Sequence, residues 1–140
     1  CAVRTNADII VDLTADCPMI SPDHIDTLAA ILIANNLDYV SNDVINRSWP
    51  DGLDVQIYRT EILRECINKF KPKQHAGWNI AQHPNDFKIT HIAPPLFCLW
   101  WPGLGLTLDT PEDYGMLLQL FNKFGVFDVV PNLILFPKRP

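Results

Sequence analysis

The sequence of 140 residues lacks the short motifs that mark many enzyme and binding sites. It contains no CxxC pair, no GxSxG elbow, no Walker loop and no GxGxxG segment. Its four cysteines are widely spaced and form no pattern with the four histidines, which disfavours a zinc site and a disulfide framework. We therefore expect reduced thiols and a cytoplasmic protein.

Positive charge and long apolar runs are also scarce. The chain has 11 basic and 16 acidic residues, a net charge of −5 that would repel the phosphates of a nucleic acid. The most apolar stretch, residues 92–108, is interrupted by three prolines and does not read as a membrane span. We expect neither a nucleic acid nor a membrane as a partner.

The apolar pattern of the first forty residues predicts a βαβ unit. Residues 7–14 are rich in β-branched apolar side chains, as in a strand buried on both faces of a parallel sheet, although Asp12 interrupts them. A helix over Pro22–Asn36 follows, with Ser21 as its cap. A second apolar run, residues 37–42, completes the unit.

The middle of the chain predicts further strands and helices. Residues 52–59 alternate in polarity, which is typical of a strand with one wetter face. Thr60 is expected to cap a helix that ends before Pro72. A short helix over 74–81 and a strand over 87–92 are expected to follow.

The segment that begins at Leu104 reads as a late strand followed by a strong helix signal. Thr110 has the position of an N-cap, the next residues are Pro, Glu and Asp, and Gly125 is a stop signal. We expect residues 1–125 to form one three-layer α/β domain with a mostly parallel sheet. The tail, residues 126–140, is expected to pack on that domain or on a neighbouring subunit.

Two acids share one setting in this pattern, since Asp16 follows the first strand and Asp109 follows the late strand. Residues at the carboxyl ends of parallel strands converge on the ligand crevice of an α/β sheet. Two carboxylates that meet there can hold Mg²⁺, an ion that prefers oxygen ligands. Alternatively, each acid accepts backbone N–H bonds at a loop or helix start.

Four motifs occur in a fixed order along the chain: DIIVDLTADCPMISPDHIDTL, DYVSN, PDGLDVQIY and LTLDTPEDY. Together they resemble the cytidylyltransferase family that includes the SpsF-type spore coat polysaccharide proteins and, more distantly, the synthetases of CMP-activated sugar acids. The resemblance covers about residues 3–124. It implies the C-terminal part of a nucleotide-diphospho-sugar transferase fold, GT-A or Rossmann-like, with Mg²⁺ held by Asp16 and Asp109.

The same resemblance implies where a sugar or nucleotide would bind. PDGLDVQIY is similar to the sugar-facing segment, which makes Asp54 and Gln56 candidate partners for hydroxyl groups, with Asn42 assisting. His75 stands where the family usually has Glu-His-Val-Thr, although this chain reads QHAG. The alternative for these residues is loop capping and a solvated strand face.

Two departures from the family pattern bear on activity. Gly105 replaces a typical arginine, and the basic, glycine-containing loop that holds the triphosphate is absent from the sequence. We therefore expect a truncated or divergent module that binds a sugar, a nucleotide or a divalent ion and does not catalyse alone. The alternatives are part of a complete Mg-dependent CMP-sugar synthetase in polysaccharide biosynthesis, or a structural protein. A homo-oligomer is expected.

Overall fold

A mixed four-stranded sheet forms the centre of the protein. The computed structural model describes residues 1–45, 47–71, 75, 77–94 and 103–124. The strands are β1 (Ile9–Asp12), β2 (Tyr39–Ser41), β3 (Gln56–Arg59) and β4 (Ile89–His91). The helices are α1 (Ala2–Thr5), α2 (Pro22–Ala34), α3 (Thr60–Lys69), α4 (Trp78–Ala81) and α5 (Pro111–Phe124).

The strand order is β1-β3-β2-β4, and β3 runs antiparallel to both of its neighbours. Only β2 and β4 pair in parallel among these strands, so a mostly parallel sheet is not confirmed. The connection over residues 42–55 starts and ends at one edge of the sheet, so β3 runs antiparallel to β2, and it lies between β1 and β2. The predicted βαβ unit is therefore present but split by an inserted strand.

One face of the sheet packs against α2. Leu28 and Leu32 of this helix are fully buried and contact Val40, Val55 and Ile57. This alternation agrees with the predicted buried face of the 52–59 segment, although the regular strand begins only at Gln56. Burial of such side chains is worth about 1.5–3 kcal/mol each, so this layer is a main source of stability.

The opposite face of the sheet packs against α3 and α4. Tyr39 and Tyr58 lie in its centre, with rings 6.2 Å apart and nearly parallel, and they contact Cys66, Ile80 and Phe87. Tyr58 was expected on a wetter face but is only 1% exposed. The two helical layers and the sheet between them give the predicted three-layer α/β architecture.

Two polar residues near this face, Asp12 and Thr60, make contacts that the sequence did not predict. The hydroxyl of Tyr58 donates to the carboxylate of Asp12 at 2.9 Å, which explains how a strand acid is accommodated beside a buried ring. Thr60 is the first residue of α3, and its hydroxyl donates to the carbonyl of Ala7 at 2.6 Å. It therefore ties the segment just before β1 to α3 and does not act as the predicted helix cap.

A third apolar cluster lies beside α5: Met19, Trp49, Leu53, Leu106 and Leu117. Its helix begins with the predicted cap, because the carboxylate of Asp113 accepts from the backbone N–H of Thr110 at 2.8 Å. The N–H of Asp113 donates in return to the Thr110 hydroxyl at 3.2 Å. This reciprocal pair satisfies two N–H groups at the helix start. Gly125 and the tail, residues 126–140, lie outside the described residues.

The predicted late strand is wrong for residues 103–109, which join the sheet at no point that the structure describes. Gly105 forms a single bridge with Asp51, whose carbonyl accepts from Leu106 N–H at 2.7 Å. Gly52 has a φ of +96°, and a Cβ there would lie 2.5 Å from the carbonyl carbon of Leu106. The late segment therefore packs on the 42–55 connection at a contact that only glycine permits.

The structure also bears on the expected state of the cysteines and on the possibility of a membrane-spanning helix. The cysteines at positions 1, 17 and 66 are free thiols. No helix in the described part of the chain is long and apolar enough to cross a membrane.

Candidate functional site

A cavity of about 420 Å³ opens at the edge of the sheet where β1 and β2 end and β3 begins. It is lined by residues from four separated segments of the chain: Thr14, Asp16, Cys17, Asp43, Val44, Arg47, Asp51, Asp54, Gln56, His75, Trp78 and Thr107. Four of the six residues predicted for the site are among them. The insertion of β3 brings them together, because it places the start of that strand beside the ends of β1 and β2.

Asp16 lies in the turn after β1, where its side chain faces the cavity. A hydrogen bond from the Thr14 side chain holds the pKa of its carboxyl below the usual range. The group is therefore ionised at neutral pH, which a metal-binding or cation-binding role requires. Its backbone carbonyl also accepts from Leu108 N–H at 2.8 Å, so the segment that precedes α5 passes directly beside it.

Asp109 is exposed and is not among the residues that line the cavity. Its backbone N–H donates to the Asp113 carboxylate at 3.2 Å, as part of the start of α5. Within the described residues, no group of three or more His, Cys, Asp or Glu side chains is arranged to hold a metal ion. The Asp16–Asp109 magnesium pair thus stays a prediction.

Arg47 is the centre of an ion network that the sequence alone did not single out. Its guanidinium lies 3.0 Å from Asp43, 2.8 Å from Asp51 and 3.6 Å from Asp54. The spacing of four residues between Asp43, Arg47 and Asp51 was the signal in the sequence for this network. The contact of Arg47 with Asp54 forms only in the folded protein. With Asp16, four aspartates face one arginine, so the cavity carries net negative charge.

Asp54 has the most perturbed carboxyl group in this cavity. Its side chain is 18% exposed, and Oδ1 is buried with no hydrogen-bond partner among the described residues. Burial raises its pKa to about 7, and the negative charge of Asp43 adds to that effect. Burial also raises the pKa of Asp43. Asp54 can therefore donate or accept a hydrogen bond near neutral pH.

Gln56 and two residues near α4 form another wall of the cavity. The hydroxyl of Tyr39 donates to Oε1 of Gln56 at 3.1 Å, which turns the amide nitrogen away from the tyrosine. His75 is exposed at the rim, and Trp78 of α4 is 41% exposed. An exposed indole beside amide and carboxyl groups suits a ligand with both an apolar face and hydroxyl groups.

Asn42, predicted to assist in binding, is fully buried and does not line the cavity. Its side-chain nitrogen donates to the Leu53 carbonyl at 2.8 Å, and its oxygen accepts from Val55 N–H at 2.8 Å. The amide is thus occupied by the backbone on both sides of Asp54. In this structure the Asn42 amide holds the loop, and its contact with a ligand stays a prediction.

Comparison with known proteins gives a consistent assignment. No protein-family profile matches the chain. A solved cytidylyltransferase from Leptospira borgpetersenii superposes with a TM-score of 0.82 over 99% of this chain and 63% of its own, at 23% identity. The chain has a cytidylyltransferase-like fold.

Two curated proteins are similar to this cytidylyltransferase-like chain in sequence. The uncharacterized protein MJ1063 of Methanocaldococcus jannaschii is 32% identical over 127 residues, 89% of this chain and 50% of that protein. The spore coat polysaccharide biosynthesis protein SpsF of Bacillus subtilis is 26% identical over 127 residues, 84% of this chain and 48% of SpsF. The resemblance to the cytidylyltransferase and SpsF-like family is confirmed, and the chain spans about half the length of these curated relatives.

Proposed function

We propose that this nucleotidyltransferase-like chain binds a sugar in its cavity, in the setting of polysaccharide biosynthesis, and that it does not catalyse nucleotide transfer alone. The setting is suggested by the name of the Bacillus subtilis relative. The observation that carries the proposal is the meeting of Asp16, Asp54, Gln56 and His75 in one cavity. Four polar groups from separated segments provide the few directed contacts that fix a small ligand in a pocket.

In this proposal, Asp54 and Gln56 contact sugar hydroxyl groups and Trp78 covers an apolar face of the ring. A carboxyl group that titrates near neutral pH serves as either donor or acceptor to a hydroxyl. The amide nitrogen of Gln56 is oriented as a donor by the bond from Tyr39 to its oxygen. These contacts require no cation from the protein.

The same cavity contains one of the two carboxylates proposed for a magnesium site. Asp16 offers an ionised carboxylate, and Mg²⁺ in nucleotide sites often takes one or two carboxylates plus water and phosphate oxygens. A bound Mg²⁺ ion would neutralise charge that develops on the transferred nucleotidyl group. Asp109 is the proposed second carboxylate, because its neighbour Leu108 is already hydrogen-bonded to Asp16.

Catalysis by this chain alone is disfavoured because its sequence has no basic, glycine-containing loop for a triphosphate. Arg47, the basic residue lining the described cavity, is engaged by three carboxylates. In this proposal, a further protein segment holds the nucleotide phosphates.

Two titrations test the proposal. Glucose and glucosamine are added to the labelled protein, and we expect NMR shifts at Gln56 and Trp78 that Asp54→Asn weakens and the exposed-site control Asp26→Asn does not. Separately, calorimetry with CTP and Mg²⁺, and an assay for pyrophosphate release with a sugar added, should show no micromolar affinity and no turnover. The absence of sugar binding contradicts the proposal, and micromolar Mg-dependent CTP binding supports the complete-synthetase alternative.

We also propose that the chain forms a homo-oligomer. Tyr114 and Leu118 are four residues apart on α5 and are 59% and 44% exposed, so they form an apolar pair on one helix face. Light scattering should give a mass above that of one chain, and Leu118→Lys should lower it. A monodisperse monomer would remove this proposal and the structural alternative with it.

A further inference from the structure

We propose that His24 and Asn42 are positioning residues that hold the Asp54 carboxyl group at the cavity wall. The proposal rests on the proposed function in one respect, that Asp54 contacts the ligand. Neither His24 nor Asn42 lines the cavity itself. They act through the backbone of Leu53 and Val55, the two neighbours of Asp54.

Asn42 holds that backbone with three hydrogen bonds. Its side-chain oxygen accepts from Val55 N–H at 2.8 Å, and its side-chain nitrogen donates to the Leu53 carbonyl at 2.8 Å. Its backbone N–H also donates to the Val55 carbonyl at 3.4 Å. The residues on both sides of Asp54 are thus bound to one fully buried side chain at the end of β2. Fixing both neighbours fixes the direction in which the Asp54 side chain leaves the loop.

His24 of α2 completes this arrangement. Its Nε2 lies 3.0 Å from the Asn42 side-chain nitrogen, which uses one hydrogen for Leu53 and has the other available for the ring. Nε2 must then be the acceptor, so the imidazole is neutral with its proton on Nδ1. Burial lowers the pKa of His24 to about 4, which keeps the ring in this acceptor form at neutral pH.

The ring of His24 is itself held in place. It lies 4.5 Å from the Trp49 ring, centroid to centroid, at a tilt of 48°. Trp49 donates from Nε1 to the carbonyl of Ile92 at 2.8 Å, beyond the end of β4. A continuous set of contacts therefore connects α2 and the segment after β4 with the loop that carries Asp54.

The consequence for the ligand site is a backbone that directs the Asp54 side chain to the cavity wall. Held between the two fixed neighbours, Asp54 lies 3.6 Å from Arg47, which also binds Asp43 and Asp51. Burial there raises its pKa to about 7, so a fraction of the protein carries a neutral, hydrogen-donating Asp54 at physiological pH. If the loop were released, the carboxyl could hydrate and ionise as an ordinary aspartate does.

The test compares two substitutions of His24, each of which keeps one of its two properties, the aromatic ring or the hydrogen-bond acceptor. His24→Phe retains a ring against Trp49 and removes the acceptor, whereas His24→Gln places a carbonyl oxygen where Nε2 accepts. The ¹³C shift of the Asp54 carboxyl is followed from pH 4 to 9 in both variants and in the unmodified chain. We expect His24→Phe to lower the Asp54 pKa by about one unit or more, and His24→Gln to keep it within about half a unit.

An unchanged Asp54 titration in folded His24→Phe would overturn the proposal, because a merely structural role alters stability and leaves that pKa in place. If His24→Phe does not fold, Asn42→Thr takes its place, since a threonine hydroxyl can keep one of the two loop bonds. The expected shift is then smaller and in the same direction, and its absence counts equally against the proposal. The titration needs no ligand, so missing sugar binding would refute the proposed function while the titration still decides the positioning role.

Discussion

A Cβ atom on Gly77 would overlap with Oε1 of Gln56 and would lie 3.0 Å from a ring carbon of Tyr39. The residue before α4 therefore approaches the sheet so closely that a side chain of any size conflicts with the cavity wall. Gln56 and Gly77 depend on each other, and the bond from Tyr39 to Gln56 is formed beneath this contact. Gly77 ends the QHAG sequence, so the departure from Glu-His-Val-Thr includes the residue that approaches Gln56.

Gly77→Ala should displace the Gln56 side chain first, because it is the flexible member of this contact. We expect a loss of about 1–3 kcal/mol in the free energy of unfolding from overpacking and from the lost Tyr39 bond. Sugar binding should weaken as the Gln56 amide leaves its place. Urea unfolding and an NMR titration measure the two effects. Gly103→Ala is the matched control, because a Cβ there meets nothing within 4 Å.

Asp54 should make stability fall as the pH rises towards 8. Its pKa is about 7 in the folded protein against 3.8 for an ordinary aspartate, so the folded state binds the proton more tightly. Its contribution is complete below about pH 4 and is lost as the pH rises through 7. Between pH 5 and 8, we expect unmodified protein to lose about 1–3 kcal/mol relative to Asp54→Asn. Parallel pH profiles for the two proteins in urea unfolding would disprove this, with Asp26→Asn as the charge control.

Gly52→Ala should destabilise the protein strongly, since the residue has a φ of +96° and the new Cβ would meet backbone atoms of Leu106 and Thr107. We expect a loss of about 3 kcal/mol from the unfavourable φ and the steric overlap together. Gly115→Ala in α5 is the opposite case, because its Cβ has open space, and it should stabilise by about 0.5–1 kcal/mol. Thermal unfolding of both variants gives the comparison, and equal effects would argue against the close loop contact.

Gly105→Arg should restore a cation near the cavity without harming the fold. A Cβ at Gly105 meets nothing within 4 Å, and the residue bridges Asp51, which lines the cavity. We expect unfolding stability to change by less than about 0.5 kcal/mol and the affinity for Mg·CTP to rise about fivefold. Gly103→Arg adds the same charge two residues away. If both variants gain equally, the effect is one of net charge and not of position.

The negative charge of the cavity should select among sugars. Four aspartates and one engaged arginine favour an amino group and oppose a carboxylate. We expect glucosamine to bind more tightly than glucose, and glucose more tightly than glucuronate, with smaller differences at high salt. Glucuronate binding as tightly as glucosamine would contradict this order.

The sequence predicted those parts of the fold that local patterns determine. The helix signals were read correctly for α5, where Thr110 and Asp113 form the cap. The direction of β3 was not predicted from the sequence. Alternation with a period of two identifies a strand and its two faces but does not show in which direction the strand runs. The antiparallel setting of β3 follows from the path of the 42–55 connection.

The candidate site also combines features that the sequence indicated with features that only the tertiary structure shows. Asp16, Asp54, Gln56 and His75 lie in one cavity, and their contacts with a ligand or metal stay predictions. The sequence did not show that the Asn42 amide bonds to the backbone of its loop, because a polar residue after a strand can face either a ligand or the neighbouring backbone. The contribution of Arg47 was missed because its three carboxylate partners meet only after the loop folds back.

Half of the cavity comes from one continuous stretch of the chain. Six of its twelve lining residues lie between positions 43 and 56, the segment that leaves β2 and returns as β3. Related chains could therefore diverge in ligand preference through changes in this one stretch, while the helical layers remain as they are. Grafting residues 43–56 from one relative into another would transfer the acidic half of the pocket as a unit, with His24 and Asn42 as the points of attachment.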